Sequence, residues 1–459
     1  MLRVNYTVLL SNNGQAMNEA PKECDSNAKI VKGKLNQFLT PFEIASVFAA
    51  YDLGCAITLF NADSLEDHFG ATICIGVGLL LAAVVTMFST FGIIYENLYV
   101  LVVARFLIGL FSGHVLPQMS ILMMDWSPMY ERNVFGAILF GSSVGVIVTF
   151  SACSWTTRTW GADLVIYSTG GITVIWSAIW LWYVSDVPIR HTRITQEELN
   201  EIAWQRVSVD MFRDRRRRTP WSKILHCSKI RALFVLLCCN GWNLNYFRYY
   251  GPLYFKRITS STNSGAFWLT SAAFLTRMVL GILCLPLLRY IIIQNRMSVT
   301  VLRKSIAFIA QVIPGTIALT TIAVHCKESV NIVIGLLILG FNGAFIGSGF
   351  INALDLAPHF AQALFAPMQA LICVITAVMP FMVAYISELV KEKVYVNVMM
   401  IGLVYVVGGL TFITFGSATV QPWDIAEARR MVQSSISVTH LGYELDREAD
   451  DDEQNSGLC

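Results

Sequence analysis

The sequence predicts an all-α polytopic membrane protein made of two helical bundles. Apolar runs of helical length recur along the chain, charged residues are scarce, and one strongly basic connector divides the runs into two groups. Hydrophobic residues make up 55%, charged residues 14%, and the mean hydropathy is +0.57. A soluble domain carries about 25% charged residues. A chain this apolar has more greasy surface than one core can bury, which makes lipid the solvent.

The spans come first. A hydrocarbon core about 30 Å thick needs about 20 helical residues. Eleven segments reach that length: 43–62, 71–91, 98–123, 134–153, 163–184, 231–254, 266–288, 305–324, 330–353, 363–387 and 396–416. In lipid every backbone N–H and C=O needs an internal partner, so runs of this length are helices. Strands crossing a membrane would be about 9–11 residues long and alternating, and these are not.

The connectors come next. Segment 185–230 holds Arg190, Arg193, Arg206, Arg213, Arg215, Arg216, Arg217, Arg218, Lys223 and Lys229. Such a cluster marks the cytoplasmic face. It separates an N-terminal bundle, 1–184, from a C-terminal bundle, 231–416. Counting spans from it places 63–70, 124–133, 289–304 and the tail 417–459 inside, and 11–42 outside. Lys22, Lys29, Lys32 and Lys34 outside, with Asp63, Glu66 and Asp67 inside, argue locally the other way; the central cluster decides. The tail turns acidic at Glu444–Glu453 with few large apolar residues, so disorder is expected there.

Other classes lack their signatures. The eleven cysteines show no zinc or disulfide spacing and read as small apolar packers. A Cys24–Cys326 bridge on the outer side is the one alternative. Val4–Leu10 is too short for a signal peptide and has no small-residue cleavage site. No metal motif, Ser/His/Asp signature or phosphate loop appears, so neither an enzyme nor a cofactor is expected. A net charge of +2 gives no reason to expect nucleic acid.

Six strings then fall in register. They are Arg105-Phe-Leu-Ile-Gly109 with Gly113 and Pro117; Trp126-Ser-Pro128-Met-Tyr-Glu131-Arg132; Pro188 with His191 through Glu197; Pro220-Trp221 through Ser228; Asn352-Ala-Leu-Asp355-Leu-Ala357-Pro358; and Phe415-Gly-Ser-Ala-Thr-Val-Gln421-Pro-Trp423. Together they resemble the anion/cation symporter branch of the major facilitator superfamily. That branch includes sialin, vesicular glutamate transporters and type I sodium/phosphate cotransporters. The resemblance implies two six-helix bundles around a central cavity, carrying organic anions, phosphate or chloride. Coupling would be to sodium, protons or membrane potential, in a plasma, vesicular or lysosomal membrane, with the chain acting as a monomer. Leu2–Val8 resembles the second half of the family's first helix. Ten residues rise only about 15 Å, half the core, so an incomplete first helix is expected. Asn5-Tyr6-Thr7 fits a glycosylation sequon that membrane depth would make unusable.

Charged groups in a bilayer cost about 2.5–3.5 kcal/mol on insertion scales, so each asks for a reason. The resemblance places an arginine beside the cavity at Arg105, as a substrate contact; the alternative is a structural pair with a carboxylate. Guanidinium fits carboxylate and phosphate with paired hydrogen bonds. Arg3 matches the family's first-helix arginine. Arg248 either replaces the arginine that vesicular glutamate transporters have where Asn240 stands, or snorkels outward with Lys256 and Arg257. Tyr246 and Tyr249 either line a cavity or pack. Asp52 is either a proton-coupling carboxylate or the partner of Arg105 or Arg3. His114 is either a proton shuttle or a helix–helix hydrogen bond.

Departures from the family accompany these positions. Ser112 stands where the family has its coupling glutamate, and Phe48 where glutamate transporters have a histidine. Arg277 has no counterpart in the resemblance, and pairing with a carboxylate is expected. Asn352, Asp355, Glu131 and Arg132 read as mechanical contacts that hold one end state. The loop 61–72 keeps Asp67 and Gly70 of the superfamily's pattern, while His68 replaces its arginine. The functional expectation is secondary active transport of small organic anions or phosphate. The alternative is a non-transporting sensor or regulator on a transporter frame.

Overall fold

The structure, a computed structural model, describes residues 40–95, 97–126, 135–159, 163–186, 188, 191, 194–197, 219–259, 263–294, 296–324, 327–357, 360–390 and 394–426. The expectations for Arg3, Glu131, Arg132, the sequon, the Cys24–Cys326 pair, most of the basic connector and the acidic tail lie outside the described residues.

The first half opens with α1 (Pro41–Phe60). Its start is set chemically. Glu43 N–H donates to Thr40 Oγ1 at 3.3 Å, and Thr40 N–H donates to Glu43 Oε2 at 2.6 Å. This reciprocal cap, with proline at the first helical position, satisfies donors that a helix start leaves orphaned. Then follow α2 (Ala62–Phe69), α3 (Ala71–Ile94), α4 (Leu98–Ser112), α5 (Val115–Trp126), α6 (Phe135–Thr159) and α7 (Asp163–Tyr183). Asn97 caps α4 by accepting from the N–H groups of Tyr99 and Val100.

The second half begins with short α8 (Trp221–His226), then α9 (Ser228–Thr259) and α10 (Asn263–Ile293). The next span is broken into α11 (Val299–Ala307), a π turn at Phe308–Val312, α12 (Ile313–Leu319) and α13 (Thr321–Val324). Pro314 is the second residue after the π turn; proline has no N–H to donate to the helix ladder, and π turns and prolines are both common places for a helix to be broken. Then come α14 (Glu328–Asn342), a 3₁₀ turn at Gly343–Gly347, α15 (Phe350–Leu356), α16 (Ala361–Leu389) and α17 (Val394–Phe415). No strand occurs among the described residues.

Nine stretches among the described residues are long and apolar enough to cross a membrane. The other two expected spans coincide with α6, whose apolar stretch is Gly141–Trp155, and with α9. The latter carries Asn240, Asn243, Asn245 and Arg248 along its length. Large apolar side chains such as Phe88, Trp182, Leu283, Val407 and Phe415 face outward around the molecule. A belt of that kind is stable against lipid rather than water. The eight described cysteines carry no disulfide, and all are buried or half-buried.

Within the first half, α1 packs along α4 and α3 along α7; within the second, α9 packs on α17 and α10 on α14. The halves meet along two lines, α1 against α16 and α6 against α10. Segment 61–72, expected as a loop, is largely the helix α2. Without the family's basic residues it is held from the end of α7: Asp186 Oδ1 accepts the N–H of Thr72 at 2.6 Å, and Trp180 Nε1 donates to the Thr72 carbonyl at 3.2 Å.

Candidate functional site

The two ends of the interface between the halves differ. At the end away from the 185–230 connector, the halves are sealed. Phe48 of α1 stacks on Tyr249 of α9 with ring centroids 4.5 Å apart, and Tyr250 meets the same Phe48 edge-on. Between α6 and α10, Phe150 stacks on Phe267, Ser151 Oγ donates to Ser271 Oγ at 3.1 Å, and the Ser154 and Ser264 hydroxyls lie 2.7 Å apart. From the middle of the molecule toward the connector end, the same interface encloses a cavity of about 380 Å³. This falls within the range of small-molecule sites.

The cavity wall is polar where the helices cross mid-span. Arg248 and Arg277 line it with Asn240, Asn245, Ser142 and Gln369, and its described lining contains no carboxylate. Arg248 donates to Asn245 Oδ1 at 3.2 Å and, across the interface, to Ser142 Oγ at 2.9 Å. It therefore serves the cavity instead of turning outward to Lys256 and Arg257.

Arg277, on α10, is buried. Its Nε donates to Asn342 Oδ1 at 3.1 Å, and a terminal nitrogen donates to Ser143 Oγ. Asn342 in turn donates to Asn240 Oδ1 at 2.7 Å. The expected carboxylate partner is replaced by neutral ones: no ion pair to Arg277 occurs among the described residues. Both cations belong to the second half, and both reach to adjacent serines of α6 in the first. Both arginines also line the same cavity.

The other expected residues stand elsewhere. Arg105 is fully buried on α4, outside the cavity lining. Tyr246 and Tyr249 belong to the aromatic seal. Tyr249 donates its hydroxyl to Asp52 Oδ2 at 3.3 Å, and Asp52 is wholly buried on α1. The His114 Nε2 lies 3.0 Å from the Cys74 carbonyl oxygen of α3, which joins two helices away from the cavity. Asn352 donates to the Ser417 carbonyl at 3.1 Å, and Asp355 pairs with Arg303 at 2.7 Å; both contacts tie the connector end of the second half together.

Tyr249→Phe keeps the ring stack and removes one donor from a buried carboxylate. A lost partner of this kind costs about 1–3 kcal/mol. The variant is expected to unfold at a measurably lower temperature in detergent, and an unchanged melting point would show that the hydroxyl contributes nothing.

The sequence argument missed Ser142, Ser143, Asn342 and Gln369, and gave Arg277 only a carboxylate partner where the structure has Asn342 and Ser143. The signal for Arg277 was the one used for Arg105, a charge midway along an apolar run.

Comparison with known proteins completes the description. The family description of the Major Facilitator Superfamily matches residues 27–362. Vesicular glutamate transporter 2.2 of Danio rerio is 24% identical over 403 residues, 86% of this chain and 68% of that protein. Sialin of Homo sapiens is 26% identical over 377 residues, 79% of this chain and 75% of that protein. Sodium-dependent phosphate transport protein 3 of Mus musculus is 22% identical over 379 residues, 82% of this chain and 79% of that protein. Among solved structures, the proton:xylose symporter XylE bound to 6-bromo-6-deoxy-D-glucose superposes with a TM-score of 0.63 at 13% identity, covering 91% of this chain and 95% of that one. That likeness concerns the fold alone.

Proposed function

The chain belongs to the major facilitator superfamily, and from that premise we propose that it carries small organic anions or inorganic phosphate across a membrane by alternating access. It is an integral membrane protein and not an enzyme, with relatives among anion and phosphate transporters. The observation that supports the anion reading is the cavity between the halves, with two guanidinium groups on its wall and no carboxylate in its described lining. A unit charge pair 4 Å apart attracts by about 4 kcal/mol at an effective dielectric constant of about 20. An anion therefore gains in this space what a neutral solute does not.

One end of the interface is sealed and the other bounds the cavity. This is one half of an alternating-access cycle, in which two bundles rock about a midplane site. On this reading the basic connector, by the positive-inside tendency, puts the cavity end at the cytoplasm. Asp52 is the candidate coupling carboxylate. It lies against Tyr249 at the sealed seam, and opening that seam would change its surroundings more than those of any cavity residue. His114 is the second titratable candidate; sodium, which the name of one relative carries, is the other candidate driving ion. A cavity at the bundle interface with a cationic, polar stretch of wall speaks for carriage over a purely sensing role.

The test is uptake of radiolabelled phosphate and L-glutamate into proteoliposomes, comparing the unaltered protein with Arg248→Gln. Arg248→Gln should reduce uptake at least about tenfold, the equivalent of about 1.4 kcal/mol. No uptake of either anion by the unaltered protein would overturn the reading.

A further inference from the structure

Arg277 sits midway along α10 with no counterpart in the family resemblance, yet more of the interior is arranged around it than around Arg248. Four helices supply the arrangement: α10 provides the cation, α14 Asn342, α9 Asn240 and α6 Ser143. A buried cation is normally paired with a carboxylate. Here both hydrogen-bond partners are neutral acceptors. They fix the position of the guanidinium and leave its charge unbalanced.

Guanidinium carries five N–H donors. Asn342 and Ser143 take two, which leaves three. Nε is occupied from one side, so the free donors are on the terminal nitrogens. The second of these has no protein partner, yet it is absent from the buried, unsatisfied atoms, so it reaches the cavity that Arg277 lines. Two terminal nitrogens presented side by side match the two oxygens of a carboxylate or phosphate.

We infer that Arg277 is the principal anion-binding residue of this cavity: it binds a carboxylate or phosphate oxygen pair of the cargo, and the Asn240–Asn342 pair positions it. The inference rests on the anion reading above and refines it to one side chain. The anion supplies the missing counter-charge, so binding should be strongest for oxyanions that accept two hydrogen bonds at once. The same contact has a mechanical side. Ser143 lies in the first half and Arg277 in the second, so an anion that draws the guanidinium away from Ser143 removes a bond between the halves.

The test uses the full-length protein in nanodiscs, with binding of radiolabelled inorganic phosphate and of L-glutamate measured separately to distinguish the two oxyanion classes. Arg277→Gln removes the charge while keeping a polar side chain. Asn342→Asp leaves Arg277 in place and gives it an internal carboxylate at the position Asn342 Oδ1 now holds. Both variants should lower affinity for the bound probe at least about tenfold, equivalent to about 1.4 kcal/mol. Asn342→Asp should do so without lowering the melting temperature, which a merely structural arginine would not produce.

If Arg277→Gln or a well-folded Asn342→Asp binds the probe as the unaltered protein does, the inference is overturned. If Arg248→Gln abolishes binding in the same experiment, the anion reading survives that failure. If the unaltered protein binds neither probe above a protein-free bilayer, the anion reading and the inference both fall.

Discussion

Gly343→Val is expected to leave little correctly folded protein in the membrane. A Cβ at position 343 would lie 2.2 Å from the carbonyl oxygen of Arg277 and 2.9 Å from the amide nitrogen of Gly281. Both obstacles are backbone, so no side chain can swing aside, and α10 must move away from the 3₁₀ turn. Overpacking a core typically costs about 1–3 kcal/mol, and more where backbone must shift. The whole margin of a folded protein is about 5–15 kcal/mol. The same displacement would carry Arg277 away from Asn342, so whatever protein survives should also lose anion binding. Size-exclusion profiles of detergent extracts read the first effect. Gly141→Ala is the matched comparison. Nothing lies within 4 Å of a Cβ there, and replacing a mid-helix glycine by alanine gains about 0.5–1 kcal/mol. A Gly343→Val profile as sharp as that of Gly141→Ala would refute the close approach.

Arg303→Ala should be more harmful than removing both members of its ion pair. Arg303 Nε lies 2.7 Å from Asp355 Oδ2, and a terminal nitrogen donates to the Gly347 carbonyl. The arginine thus joins α11 to α15 and to the 3₁₀ turn between α14 and α15. Breaking a buried pair from one side costs about 3–5 kcal/mol, because the remaining charge is stranded, whereas replacing both partners by apolar groups is often neutral. Asp355 is 22% exposed, against 7% for Arg303; residual water contact puts the loss near the lower end, about 3 kcal/mol. Arg303→Met with Asp355→Leu should recover most of it. Melting temperatures of the two single variants and the double variant form the cycle that measures this. A double variant less stable than either single one would mean that the pair itself, not the stranded charge, sets the stability.

The spans were legible because lipid gives the chain no freedom: an apolar run of bilayer length has to be a helix. The connector-end contacts were legible too, since Asn352 and Asp355 sit in a recognisable string, although the partners Arg303 and Ser417 did not follow from it. The site was not. Insertion cost marks Arg105, Arg248 and Arg277 alike, and cannot say which faces a cavity. That depends on rotation about each helix axis relative to neighbours far off in sequence. Ser143 lies 134 positions from Arg277, and Asn342 lies 65 positions away. Nothing local distinguishes them from any other serine or asparagine in a span. Segment 61–72 failed for a related reason: its anchor, Asp186, lies more than a hundred residues further on.

The polarity of α9 has a consequence for how the protein is made. A membrane-insertion machinery judges a nascent segment by how readily it partitions into lipid, and arginine or asparagine near the centre counts against it. With Asn240, Asn243, Asn245 and Arg248 in one helix, α9 is a poor substrate for insertion alone. Its more apolar neighbour α10 follows after a short connection. The two are therefore expected to enter the membrane together as a hairpin, the apolar α10 offsetting the insertion cost of α9.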